Sequence, residues 1–226
     1  KLLVYFYQLR LLEIREGVFL LESCTSGKSD IFGKTLKFRF PYSKKEQFAY
    51  LAEKYDNVEL IENTEFETIN NISSIHAARK VMGTADCFIC EADLYISDLS
   101  IFDAELSRSC YYGKMVPGFS DDWVFDWDGE RITRVGKEGT DRYNMVGVSY
   151  FKKADAAVIR DAIDAAYEKP GYEGLYWDEI VDRQLDKLNL DIHPVEKEQI
   201  VEIDSVAELA VIDESYREVL EKMQAE

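Results

Sequence analysis

From Pro41 onward, apolar positions fall either in short continuous runs or in stripes three and four residues apart. Ser43-Lys44-Lys45-Glu46 forms a capping box, and Phe48, Leu51, Ala52 and Tyr55 share one face of the helix it predicts, to about Asp56. Val58-Glu59-Leu60-Ile61 predicts a short strand, and Asn70-Asn71 precedes a helix over Ile72 to Ala78, capped by asparagine. Cys87-Phe88-Ile89-Cys90 opens a buried strand over 87–92, followed by a helix from about Ser100 to Ser107. Residues 110–150 are β-rich, and Asp128-Gly129 between two such runs is a strong hairpin signal. A strand over Asn144 to Phe151 leads to a helix bearing Ala156, Ile159, Ile163 and Ala166, which stops at Lys169-Pro170-Gly171. Tyr172, Tyr176, Trp177 and Asp178 precede an acidic helix over the segment to 188. Ile200 to Ile203 predicts a last strand, and Ser205 with Glu208 a capping box for a long terminal helix.

Alternating strands and helices predict an α/β fold with a doubly wound, mixed, mostly parallel sheet. No repeat, linker or low-complexity tract divides the chain, so a single domain over 1–226 is expected, with 1–40 its least regular part.

Length and charge narrow the function. The 226 residues suffice for a sizeable core. A net charge of −17 repels nucleic acid and anionic membrane surfaces, so a phosphorylated substrate needs local cations, a metal or backbone amides. No apolar run is long enough to span a bilayer, and the opening Lys-Leu-Leu-Val-Tyr-Phe-Tyr lacks the features of a signal peptide. Cys87 and Cys90 have C-x-x-C spacing, but on a strand they face opposite sides and cannot share a metal. Buried free thiols fit a cytoplasmic protein better.

Two acids sit at predicted strand ends: Asp93, just past Glu91, and Asp204. In open α/β sheets ligands collect beyond the carboxyl ends of the strands, where such acids can hold Mg²⁺ against phosphate oxygens. The plain alternative is that they only terminate strands. Trp123, Tyr176 and Trp177 lie on separate segments near Asp121, Asp122 and Asp178. Rings beside an acid suit a quaternary ammonium group through cation–π attraction, although packing is the ordinary fate of tryptophan. Gly27-Lys28-Ser29 is similar to the end of a phosphate-binding loop, but Glu22 stands where that motif needs glycine. His76 reads as a solvated or core-satisfied residue.

Lys45-Glu46-Gln47-Phe48, Asn70-Asn71-x-x-Ser74, Glu91-Ala92-Asp93-x-Tyr95, Gly147-Val148-Ser149, Leu175-Tyr176-Trp177-Asp178 and Glu202-Ile203-Asp204-Ser205-Val206 occur in this order. Together they make the chain resemble the bacterial choline-phosphate cytidylyltransferases of the LicC type. The resemblance implies a nucleotidyltransferase fold (GT-A-like Rossmann) and CMP transfer from CTP to phosphocholine, giving CDP-choline and pyrophosphate. It implies Asp93 and Asp204 as catalytic Mg²⁺ ligands, and Asn71, Ser74 and Glu91 near the nucleotide. It also implies a choline pocket walled by Trp123 and Tyr176, with Trp177 beside them and Asp178 balancing the charge. A homo-oligomer is compatible with this reading. The family's glycine-rich loop and Pro-Lys pair are missing from 1–40, leaving a fragment, a decayed copy or a shifted reading frame as explanations. Read two bases later, Gly27 to Thr35 can encode a helix similar to the family's. A sugar-1-phosphate nucleotidyltransferase and an inactive choline- or nucleotide-binding remnant are the alternatives.

Overall fold

The computed structural model describes the strand at Val18–Glu22, Glu53, Ile61, residues 63–91 and residues 93–224. The helix expected over 43–56 and the strand over 58–61 lie outside the described residues, but for Glu53 and Ile61. So do Gly27-Lys28-Ser29 and Cys24.

The elements in chain order are β1 (Val18–Glu22), α1 (Ile72–Ala77), β2 (Cys87–Glu91), β3 (Leu94–Ile96), β4 (Cys110–Trp127), β5 (Ile132–Phe151), α2 (Lys153–Tyr167), α3 (Trp177–Asp182), β6 (Asp191–Pro194), β7 (Ile200–Glu202), α4 (Val206–Ile212) and α5 (Arg217–Gln224). A mixed five-stranded sheet runs β1-β2-β5-β4-β6, and β3 pairs with β7 in a two-stranded one. The β1–β2 and β4–β6 pairings are parallel; β2–β5 and β4–β5 are antiparallel. The first strand, illegible in the sequence, comes from this chain's own Val18–Glu22 and brings Glu22 level with Glu91.

Strand alternation sorts the core onto two faces. Cys87 and Ile89 join α1 and α2 residues Ile72, Ile75, Ile159 and Ile163 on one face. Phe88 and Cys90 join Leu94, Ile96, Tyr112, Val148 and Ile200 on the other. Cys87 and Cys90 are therefore buried free thiols on opposite faces, as their spacing predicts.

The Asp-Gly turn forms as expected: Gly129 has φ +101°, and the backbone N–H groups of Glu130 and Arg131 donate to Asp128 Oδ1. Three local expectations fail. The helix over 100–107 is only a 3₁₀ turn, Leu99–Phe102, with Ile101 and Phe102 buried side by side. The long terminal helix breaks at Asp213, whose side chain accepts from Ser215 N–H and starts a new turn. Asn71 does not cap its own helix; its side chain reaches elsewhere, as described next. Among the described residues, no helix is long and apolar enough to cross a membrane.

Candidate active site

The site forms where β2 and β7 end. Glu91 closes β2, Asp93 follows it, and Ile203 N–H donates to the Asp93 carbonyl at 2.9 Å. That bond continues the β3–β7 ladder, in which Leu94 faces Glu202. Glu91, Asp93 and Glu202 thus each bring a carboxylate oxygen within 4.8 Å of the other two. Asp204 is not part of that triad; it lies exposed one step along, and its charge acts on Asp93 and Glu202.

Close carboxylates resist ionisation together. Burial, then the charges of Asp93, Asp178, Glu202 and Asp122, hold Glu91 well above the usual carboxylate range. Burial and Asp204 raise Asp93, and burial, Asp204, Asp93 and Asp122 push Glu202 up to about 7. Asp93 Oδ1 is buried with no hydrogen-bond partner. Converging hard oxygens, one of them unsatisfied, fit a divalent cation such as Mg²⁺, which would relieve the repulsion. Gly147 shapes this cluster. Its φ is +74°, and a Cβ there would meet Glu91 Oε2 at 2.5 Å and both Leu94 methyls at 3.0 Å.

Of the nucleotide residues implied by the resemblance, Glu91 lies in the acid cluster, and Asn71 and Ser74 lie at the start of α1. Asn71 Oδ1 accepts from Trp177 N–H at 3.0 Å, and Asn70 Nδ2 donates to the Gly174 carbonyl. The asparagine pair therefore ties the start of α1 to the loop that presents Tyr176. Ser74 Oγ accepts from Asn63 Nδ2 at 3.3 Å.

Trp123 on β4 and Tyr176 ahead of α3 come together, ring centroids 5.4 Å apart and planes at 66°. Lys137 on β5 is the cross-strand partner of Trp123, and its Nζ lies 5.8 Å from the Trp123 ring and 5.4 Å from the Tyr176 ring. Asp122, adjoining Trp123, adds its charge to Glu91, Glu202 and Asp204. Asp122 is thus the chain neighbour of Trp123 whose charge reaches the acid cluster.

Trp177 and Asp178 are placed differently from the expectation. Trp177 is 3% exposed, packed against Tyr111 and Phe151 in the core, because the first turn of α3 points inward. Asp178 is 2% exposed and accepts from Tyr111 O–H at 2.9 Å. Burial pushes its carboxyl up to about 7. It is a core acid bonded to Tyr111, and its charge acts on Glu91.

Sequence reasoning missed Glu202, Lys137, Gly147 and Tyr111. Glu202 was findable, since strand spacing of two puts it on the side of Asp204. Lys137 carried no signal before the hairpin register was known.

No family model matches the chain. It is 52% identical over 173 residues to a 2-aminoethylphosphonate cytidylyltransferase of Lancefieldella rimae, covering 76% of this chain and 70% of that one. It is 29% identical over 171 residues to a choline-phosphate cytidylyltransferase of Streptococcus pneumoniae, covering 75% and 73%. Among solved structures, CTP:phosphocholine cytidylyltransferase (LicC) from Streptococcus pneumoniae superposes with a TM-score of 0.65 at 28% identity, over 75% of this chain and 73% of that chain.

Proposed function

The chain belongs to the cytidylyltransferases of the sugar-nucleotidyltransferase-like family, and on that premise we propose that it transfers CMP from CTP to 2-aminoethylphosphonate with the help of Mg²⁺. The observation that carries the acceptor is Lys137. Its side chain ends in a methylene bearing a primary ammonium, the same group that ends an aminoethyl chain, and that group lies over the Trp123 and Tyr176 rings. The rings therefore accommodate a primary alkylammonium, and the acid cluster, which feels the charge of Asp122 beside Trp123, would take the cation-bridged phosphonate. The 52% identity to an enzyme named for this acceptor supports the same reading.

In the proposed reaction a phosphonate oxygen attacks the α-phosphorus of CTP in line. The new oxygen–phosphorus bond forms as the bond to the bridging oxygen breaks, and pyrophosphate leaves. Glu91, Asp93 and Glu202 would hold the Mg²⁺, which neutralises phosphate charge when bound. Asp204 adds negative charge beside them. Trp123 and Tyr176 orient the acceptor's ammonium end, so the catalytic contribution is position and charge balance, without a covalent intermediate.

Phosphocholine is the second reading. Facing rings suit a methylated ammonium, and the Streptococcus pneumoniae relative is named for it. The test is pyrophosphate release with CTP and each acceptor in turn. The expected result is a higher kcat/KM for 2-aminoethylphosphonate than for phosphocholine, with KM for the amine raised about three- to thirtyfold by Trp123→Ala or Tyr176→Ala. Preference for phosphocholine would favour the second reading. Preference for a sugar 1-phosphate, with neither ring variant having an effect, or no release from any acceptor, would overturn both.

A further inference from the structure

Lys137 does more than report what the rings accept. Resting on the reading of Trp123 and Tyr176 as the ammonium subsite, we propose that Lys137 is a built-in competitor for that subsite and so weakens the binding of cationic acceptors alone. The Lys137 ammonium lies over both rings, 5.8 Å and 5.4 Å from their centroids, so a substrate ammonium cannot take the same place until it leaves.

The backbone that presents this lysine is fixed. Arg134 Nη1 donates to the Lys137 carbonyl at 3.1 Å, Nη2 donates to the Glu138 carbonyl at 2.9 Å, and Nε donates to Asp126 Oδ2 at 2.8 Å. Arg142 Nε bonds the other oxygen of Asp126 at 2.9 Å. Glu138, the next residue, has φ +66°. A planar guanidinium with three partners holds its neighbours in one geometry. The side chain it presents is exposed and has four rotatable bonds, so its head can swing into water without moving the strand.

Such a competitor offsets the rings' preference for cations. A ligand with an ammonium regains at the rings what the lysine gives up on leaving. A neutral acceptor leaves the lysine in place.

Calorimetry and steady-state kinetics on the full chain test this with three Lys137 variants and two acceptors. Lys137→Ala and Lys137→Gln are expected to tighten 2-aminoethylphosphonate, lowering its KM about three- to tenfold, because no internal cation has to be displaced. Lys137→Arg, which keeps a cation that stacks on rings, should stay near the parent. Methylphosphonate, which has no ammonium, should bind all of them alike. Weaker 2-aminoethylphosphonate binding in Lys137→Ala and Lys137→Gln would overturn the proposal, as would an equal gain for methylphosphonate. Trp123→Ala and Tyr176→Ala separate the two failures. If they weaken the amine while Lys137→Ala changes nothing, the subsite stands and the competitor falls; if they change nothing, the subsite itself is wrong.

Discussion

Asp178 turns from a candidate ligand contact into a sharp test of how the site is built. The perturbation is Asp178→Asn, which keeps an acceptor oxygen for Tyr111 O–H and removes the titrating proton. Burial raises the folded-state carboxyl from 3.8 to about 7. Between those values the folded chain holds a proton that the unfolded chain has released. The stabilising contribution of this group is therefore fully present below 3.8 and is lost as pH rises through about 7. Over the whole interval that is about 4 kcal/mol, of which roughly 2–3 kcal/mol is lost between pH 5 and pH 8. The asparagine variant lacks this loss, so its stability relative to the parent should improve by that amount over the same range. For a chain of this size the change is roughly 5–10 °C in Tm. Thermal melts of both proteins in chelator at pH 5 and pH 8 read it directly. A gap between variant and parent that is constant with pH, or one that shifts in favour of the parent at pH 8, would refute the assignment of Asp178 as a buried acid uncompensated by a cation.

Other outcomes follow from single contacts. Gly147→Ala places a left-handed alanine against Glu91 and Leu94, so melts should show a loss of about 1–2 kcal/mol. Its larger effect is on Glu91, whose carboxylate must move, and the Tm rise on adding Mg²⁺ should shrink well below the parent's; an undiminished rise would contradict the role given to Gly147. Asn71→Ala removes the acceptor of Trp177 N–H and should cost about 1 kcal/mol. Because Tyr176 precedes that N–H, KM for the amine acceptor should rise more than KM for CTP, and equal changes would show that Asn71 does not act through the ring.

What the sequence revealed divides along physical lines. Local signals with one dominant cause survive: the apolar run at Cys87–Glu91, the Asp128-Gly129 turn, the α2 stripe and the Ser205–Glu208 box. The long β4–β5 arm was read in pieces because bulges near Gly118 and Trp123 break its alternation. β6 is four residues and forms by pairing with β4, a long-range event that no window reports. At the site, Asp93 could be singled out because it follows an apolar strand. Trp177 and Trp123 could not be told apart, since which ring faces the core depends on how α3 packs. Glu202 could be placed on the side of Asp204 by strand spacing, but only the β3–β7 register brings it to Asp93.

The central claim is that Glu91, Asp93 and Glu202 meet to hold a divalent cation for cytidylyl transfer. It is tested most directly by pyrophosphate release from CTP and 2-aminoethylphosphonate, with and without Mg²⁺, in the parent, Asp93→Asn and Glu202→Gln, each first shown to be folded by its melt. Turnover should need Mg²⁺ and should fall about a hundredfold or more in both variants. Release that proceeds in chelator, or that continues at the parent's rate once Asp93 or Glu202 is neutralised, would contradict it.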